Sequence, residues 1–136
     1  MIEISNEYVA DTMAVVLWIE GRKLPDRIFE IPESANNRKT TVSIWISAMT
    51  LAEIGYLFEK ERIDTSLEDV KLLVMSSNGF KIADLTDEIV RKSFEIKDIP
   101  ELHDRLIAGT AYTFNCPLLT NDPKIEKSSF VRTIWK

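Results

Sequence analysis

Residues 8–20 read Tyr-Val-Ala-Asp-Thr-Met-Ala-Val-Val-Leu-Trp-Ile-Glu, a short apolar run that ends in an acid and passes at once into a second apolar run. The first run, Tyr8–Asp11, predicts a buried strand. Thr12–Glu20 predicts a short helix, which Gly21 would end at the C′ position. Because this helix is apolar on nearly every side, it must be covered twice, by the protein core or by a partner subunit.

The rest of the chain continues to alternate between strand and helix patterns. Further strands are predicted at Thr41–Ile46, Phe80–Leu85, Cys116–Thr120 and, as an edge strand, Val131–Trp135. Helices are predicted at Leu24–Arg38 (with a loop), Met49–Arg62, Ser66–Ser76, Asp87–Ile96 and, with Pro100 in its first turn, Pro100–Phe114. Such alternation predicts an α/β fold with a mostly parallel sheet and helices on both faces.

Composition indicates one soluble globular domain that spans residues 1–136, with 45% hydrophobic and 29% charged residues. No apolar run reaches the roughly 18–20 residues that cross a membrane, and the first seven residues lack the features of a signal peptide. The lone cysteine, Cys116, excludes an intrachain disulfide and is expected to be a small buried hydrophobe. A cytoplasmic protein without membrane contact is therefore expected. The net charge of −5 argues against a protein that simply coats nucleic acid.

Four carboxylates lie where apolar segments end or begin. Asp11 and Asp122 close predicted strands, and Glu53 and Asp104 fall in the opening turns of predicted helices. In a parallel sheet, strand C-termini and helix N-termini share one edge, and ligands bind there. Acids gathered at one edge repel one another unless a cation joins them, and Mg²⁺ or Mn²⁺ prefers carboxylate oxygens. The pattern predicts a metal-dependent phosphodiesterase.

Each acid also has a purely structural alternative. Asp11 would cap the following helix, and the segment Thr50-Leu-Ala-Glu53 has the spacing of a capping box. Asp104 would interact favourably with a helix macrodipole, and Asp122 belongs to the turn sequence Thr-Asn-Asp-Pro. The edge that all four share favours a common metal site over four separate structural roles.

The order and context of these acids resemble PIN-domain ribonucleases, and most closely VapC-type toxins of bacterial toxin–antitoxin pairs. The matching segments are 8–12, 46–54, 102–111 and 118–122, which together reach across most of the chain. The resemblance implies a three-layer α/β/α sandwich and the hydrolysis of RNA phosphodiester bonds with Mg²⁺ or Mn²⁺. A PIN nuclease that processes RNA without acting as a toxin remains an open alternative.

The resemblance also implies roles for individual residues. The catalytic and metal-binding acids would be Asp11, Glu53, Asp104 and Asp122, and the neighbouring hydroxyls of Thr12 and Thr120 would donate hydrogen bonds to these carboxylates. Water would be the nucleophile, so no covalent intermediate is expected.

The expected partners are an RNA substrate, an antitoxin protein and a second copy of the chain. The apolar segment Met13–Ile19 and the aromatic residues Trp18, Trp45 and Tyr56 are of the kind enriched at interfaces, although they would equally suit the core. Several basic residues are available for contacts with phosphate, although each taken singly fits a solvated surface charge better; they are Arg22, Lys23, Arg27, Arg38, Lys39, Lys124, Lys127 and Arg132.

Rival chemistries fit the residues less well. His103, the only histidine, is interpreted as structural in preference to a general base. One histidine and one cysteine exclude a zinc site of the usual nitrogen and sulfur type, and the chain has no nucleophile-elbow pattern for Ser-His-Asp chemistry. A receiver-like phospho-acceptor domain would also gather acids and Mg²⁺, but it needs an acceptor Asp at the end of a central strand, where Ile46-Ser47 stands.

Overall fold

The computed structural model describes residues 6–37 and 41–136, and within these ranges five strands form one sheet. The strands are β1 (Glu7–Ala10), β2 (Ser43–Ser47), β3 (Phe80–Ala83), β4 (Leu118–Leu119) and β5 (Thr133–Ile134). They are all parallel and lie in the order β3-β2-β1-β4-β5, so β1 is central. Predictions that involve residues 1–5 and 38–40, among them the basic residues Arg38 and Lys39, lie outside the described ranges.

Helices connect the strands, as parallel pairing requires. They are α1 (Thr12–Ile19), α2 (Asp26–Ala35), α3 (Ala48–Glu59), α4 (Leu67–Ser76), α5 (Asp87–Ser93), α6 (Leu102–Phe114) and α7 (Pro123–Glu126). Within the described ranges no helix is both long enough and apolar enough to span a lipid bilayer.

Side chains that alternate along β1 build a core on each side of the sheet. Tyr8 and Ala10 belong to one core, which packs under α1, α2 and α4. Val9 faces the other way, into a second core with Ile107 of α6 and Ile125 of α7. Because each face of the sheet is covered, the domain has three layers, and the predicted α/β/α fold with a parallel sheet is confirmed.

Several predicted boundaries differ from the observed ones. α6 begins at Leu102 with Glu101 at the N-cap, so Pro100 precedes the helix and does not lie in its first turn. The strand predicted at Cys116–Thr120 pairs as a regular strand only over two residues. Pro117 has no backbone N–H to donate, and pairing toward β5 begins at Leu118.

The capping box predicted at Thr50 and Glu53 is wrong. α3 starts three residues earlier than that box requires, because the Ser47 side chain caps it by accepting a hydrogen bond from the Met49 N–H at 3.0 Å. Thr50 therefore lies inside the helix, and Glu53 lies in its second turn. This correction frees the Glu53 carboxylate from any capping role.

The apolar segment Met13–Ile19 lies mostly in the core. Ala14, Val15 and Val16 of α1 are buried, and Trp18 packs on Phe29 of α2 with ring centroids 5.4 Å apart. The apolar surface of α1 is therefore covered mostly by the core of the protein itself.

A glycine sets the position of α6, the helix that carries Asp104. A Cβ atom at Gly109 would lie 1.8 Å from the Ser93 Oγ of α5, so only glycine allows α5 and α6 to approach this closely. The Ser93 hydroxyl donates to the Ile89 carbonyl oxygen at 2.6 Å, which keeps it within its own helix.

Candidate active site

A cavity of about 410 Å³ opens beside the C-terminal ends of β1 and β4. All four predicted acids line it, together with one of the two predicted threonines; these residues are Asp11, Glu53, Asp104, Asp122 and Thr12. Other parts of the wall come from Met13, Leu57, Ile107, Asn121, Pro123 and Ile125. The structure thus brings together acids that lie up to 111 positions apart in the chain.

Asp11 stands at the junction of β1 and α1 and is 9% exposed. Its Oδ1 accepts a hydrogen bond from the Ala14 N–H at 2.8 Å. The carboxylate therefore caps α1, as its position before the helix predicted. The Thr120 hydroxyl donates a second hydrogen bond to it. Asp11 can therefore cap α1 and line the cavity at the same time. The N-terminus of a helix favours a negative charge, whether that charge only caps the helix or also binds a ligand.

Thr120, the second predicted threonine, links two acids. While its hydroxyl donates to Asp11, its Oγ1 accepts the backbone N–H of Asp122 at 3.1 Å. The Asp122 side chain in turn caps α7 by accepting the Lys124 N–H at 2.9 Å. The predicted turn at Asp122 is thus a helix cap that also faces the cavity.

Glu53 reaches the cavity from α3 and is held by a residue of α1. The Thr12 hydroxyl donates to Glu53 Oε1 at 2.5 Å, and the Oγ1 atoms of Thr12 and Thr50 lie 3.4 Å apart. Thr12 and Thr50 are buried. The hydrogen bond therefore fixes one Glu53 oxygen at the wall of the cavity.

Burial raises the pKa values of two of these acids, and nearby negative charge is a smaller cause. The pKa of Asp11 is raised to about 6, chiefly by burial and to a lesser extent by the charges of Asp122 and Glu53, against the hydrogen bonds from Thr120 and Ala14. The pKa of Asp104 is also raised to about 6, again chiefly by burial. The neighbouring carboxylates Glu101, Asp122 and Glu53 act in the same direction, and Lys124 opposes them.

The donor set of the cavity suits a hard divalent cation. Its four acids offer carboxylate oxygens, which Mg²⁺ and Mn²⁺ prefer, and the described residues that line it include no lysine or arginine. A bound cation would supply the missing positive charge and would favour the ionised form of each acid.

Two residues beside the cavity were not predicted as site residues. Glu101 was not singled out, although it raises the pKa of Asp104. His103 was assigned a structural role, yet its imidazole is half exposed and faces Glu53, with Nδ1 lying 3.7 Å from Oε2. In the sequence, Glu101 and His103 stand close to Asp104, but this spacing alone does not indicate a site. Their proximity to Glu53 becomes visible only in the structure, where α3 crosses α6.

Comparison of the sequence with known families shows that the profile of the PIN domain matches residues 8–131. The chain belongs to the PIN domain family. This assignment confirms the resemblance on which the residue roles were based, and it removes the receiver-like alternative. Membership of the family implies a nuclease. Comparison with curated proteins gives no significant match.

Solved structures of toxin–antitoxin complexes share this PIN domain fold. VapBC2 from Rickettsia felis, bound to a DNA fragment from their promoter, matches with 24% identity and a TM-score of 0.68, over 96% of this chain and 99% of that chain. A toxin–antitoxin complex from Klebsiella pneumoniae matches with 16% identity and a TM-score of 0.66, over 93% and 95%. DNA-bound VapBC from Salmonella typhimurium matches with 19% identity and a TM-score of 0.66, over 94% and 96%. At these identities the likeness shows the fold.

Proposed function

We propose that this chain is a single-domain endoribonuclease that depends on Mg²⁺ or Mn²⁺ and acts as the toxin of a type II toxin–antitoxin pair. The observation that carries the proposal is the cavity in which Asp11, Glu53, Asp104 and Asp122 converge at the C-terminal edge of a PIN-domain sheet. Since RNA would be the substrate, the activity would belong to the cytoplasm.

In this proposal the four acids would hold one or two divalent ions. When bound, such ions offset the negative charge of a phosphodiester and make water a stronger nucleophile. Asp11 and Asp104 would be the principal ligands, with Glu53 and Asp122 completing the set or orienting water. The raised pKa values of Asp11 and Asp104 support this division, because burial makes the ionised form of these two acids costly unless a cation is bound nearby.

The protein residues would contribute orientation as well as charge. The Thr120 hydroxyl and the Ala14 N–H hold the Asp11 carboxylate from two directions, and the Thr12 hydroxyl holds Glu53. Carboxylates that are fixed in this way lose little freedom when they bind a ligand. Apolar side chains of Leu57 and Ile107 form part of the cavity wall, which limits the access of bulk water to the acids.

Lys124 is the basic residue that we propose for contact with the RNA backbone. It lies in the first turn of α7, is exposed, and lowers the pKa of Asp104. Its charge therefore acts on the same cavity, where it would attract a phosphate group toward the acids.

We further propose that the chain binds an antitoxin and forms a homodimer. Complexes of toxins with antitoxins share its fold, which supports the first part. Support for the second part comes from α4, where Leu72 and Met75 are 61% and 72% exposed. Tyr56 of α3 is also exposed, whereas Trp18 of α1 packs against the core. The surface that contacts a second copy would therefore lie on α3 and α4 and not on α1.

RNA cleavage, growth arrest and light scattering test the three parts of the proposal. In the first experiment, purified protein should cleave single-stranded or structured RNA with Mg²⁺ or Mn²⁺. EDTA should stop this reaction, and Asp104→Asn should abolish it. Glu30→Gln removes an exposed acid of α2 and serves as the matched control. RNA cleavage by Asp104→Asn at the wild-type rate would refute the metal site.

Induced expression of the wild type should arrest growth, and Asp104→Asn should not; cleavage without growth arrest would favour an RNA-processing enzyme over a toxin. Light scattering at tens of micromolar should show a dimer, which Leu72→Glu combined with Met75→Glu should dissociate. A wild-type monomer at that concentration would contradict the homodimer.

A further inference from the structure

Beside the four-acid cavity lies a second group of potential metal ligands, formed by Glu53, Glu101 and His103, which we call the His103 cluster. One ligand atom from each residue lies within 4.8 Å of the other two. His103 Nδ1 is 3.7 Å from Glu53 Oε2 and 3.9 Å from Glu101 Oε1. Both distances are too long for a hydrogen bond, so the three groups face one another without a direct bond.

The two separations from His103 match those of atoms that ligate one ion. Nitrogen and oxygen ligands bind Zn²⁺ at about 2.0–2.2 Å, which places neighbouring ligand atoms roughly 3–4 Å apart. The two measured distances fall within this interval. We propose that the His103 cluster is a binding site for a first-row transition-metal dication, such as Ni²⁺ or Zn²⁺, which adjoins the four-acid cavity and shares Glu53 with it.

The chemistry of the ligands decides which ions this site accepts. Imidazole nitrogen suits Ni²⁺, Cu²⁺ and Zn²⁺, whereas Mg²⁺ keeps to oxygen ligands and dehydrates reluctantly. The four-acid cavity offers only oxygen from its acids, and the His103 cluster adds the single imidazole of the chain. The two sites therefore sort divalent ions by type, with transition metals at the cluster.

Glu53 belongs to both sites, and its two oxygens are divided between them. Oε1 accepts the Thr12 hydroxyl at the cavity wall, while Oε2 is the oxygen that faces His103. Thr12 fixes the carboxylate, so Oε2 already points at the imidazole before any ion arrives. The other two ligands are about half exposed, which leaves room for water to fill the remaining positions around an ion.

The cluster can be altered without disturbing the helix that carries it. Glu101 is the N-cap residue of α6, but its side chain makes no capping hydrogen bond, so Glu101→Gln removes a ligand and no cap. His103 projects from the exposed first turn of the same helix, and His103→Gln keeps a polar side chain there. Glu30→Gln makes the same change of charge on the exposed face of α2 and is the matched control.

The test measures metal binding in the absence of RNA, on protein that carries no histidine tag. Because the chain has one histidine, its imidazole proton signals in an NMR spectrum belong to His103 without further assignment. We expect substoichiometric Ni²⁺ to broaden these signals and an excess of Mg²⁺ to leave their chemical shifts close to those of the metal-free protein. By calorimetry, Glu101→Gln and His103→Gln should each weaken Ni²⁺ binding about tenfold or more, and Glu30→Gln should not.

Asp11→Asn separates this site from the proposed nuclease centre, because it alters the four-acid cavity and leaves all three cluster ligands in place. We expect Asp11→Asn to retain the Ni²⁺-induced broadening of His103 even if it has lost RNA cleavage. The proposal is overturned if Ni²⁺ leaves the His103 signals unchanged at a tenfold excess. It is also overturned if Glu101→Gln binds Ni²⁺ as tightly as the wild type, since the imidazole would then bind the ion alone.

Discussion

Replacing Asp11 by Asn should stabilise the metal-free protein at neutral pH. Asp11 is buried, and its pKa in the folded state is raised from 3.8 to about 6. The folded protein therefore binds this proton more tightly than the unfolded chain does, so the ionised carboxylate lowers stability once the pH exceeds both values. The difference between the two pKa values means that ionisation of Asp11 lowers the free energy of unfolding by roughly 3 kcal/mol.

Asn removes the charge and keeps the local structure. Its side-chain oxygen accepts the Ala14 N–H as that of Asp does, and Asn and Asp are about equally good N-caps. The hydrogen bond from Thr120 is weakened or lost, because one carboxylate oxygen becomes an NH2 group and the other no longer carries charge. We therefore expect the free energy of unfolding at pH 7.5 to rise by about 1 to 3 kcal/mol in Asp11→Asn.

The dependence on pH distinguishes this cause from a general packing effect. As the pH falls from about 6 towards 3.8, wild-type Asp11 becomes protonated in the folded state and loses its unfavourable charge. The free energy of unfolding of Asp11→Asn relative to the wild type should therefore be lower at pH 4.5 than at pH 7.5 by about 2 kcal/mol.

Urea unfolding in EDTA at the two pH values measures both quantities. Asp84→Asn, which removes an exposed carboxylate outside the cavity, should stay within about 0.5 kcal/mol of the wild type at either pH. Addition of Mg²⁺ should stabilise the wild type and not Asp11→Asn, because binding to the folded state alone adds to stability. The reasoning is refuted if Asp11→Asn is less stable than the wild type at pH 7.5, or if its gain is equal at both pH values.

Three further predictions follow from the contacts around the cavity. Thr120→Val removes the hydrogen bond to Asp11, so RNA cleavage should fall by about 10–100-fold, and Thr120→Ser should restore it; equal loss in both variants would contradict a role for the hydroxyl. Glu53→Gln should unfold within about 1 kcal/mol of the wild type, since Glu53 caps no helix, while cleavage falls by about 10–100-fold; lower stability with unchanged cleavage per folded molecule would assign Glu53 a structural role only. Lys124→Ala should raise the KM for RNA and reduce its dependence on salt, with Lys127→Ala as control; equal effects of the two would show that the charge near the cavity has no special role.

The sequence predicts the features of this fold that depend on short segments. Residues 8–12 pass from an apolar strand to an acid and a helix within five positions, and the structure reproduces that order in β1, Asp11 and α1. The convergence of the four acids follows from topology, because parallel strands present their C-terminal ends at one edge.

Features that depend on tertiary packing could not be predicted in this way. Ser47 and Thr50 are both good N-caps, and only the end of β2 shows that Ser47 is the one used. The approach of His103 to Glu53 joins residues 50 positions apart, and it depends on how α3 crosses α6. Likewise, the apolar sequence of α1 is equally compatible with core and with interface until α2 is seen to cover it.

The two threonines hold two of the four acids in place across different elements of the fold. Each follows or precedes one predicted acid in sequence, yet its hydroxyl donates to an acid from a different element: Thr12 to Glu53 of α3, and Thr120 to Asp11 at the end of β1. The hydrogen bonds thus run between elements and oppose the repulsion that would drive these elements apart. A divalent ion entering the cavity would meet carboxylates that are already placed, so its binding would relieve charge with little rearrangement of the backbone.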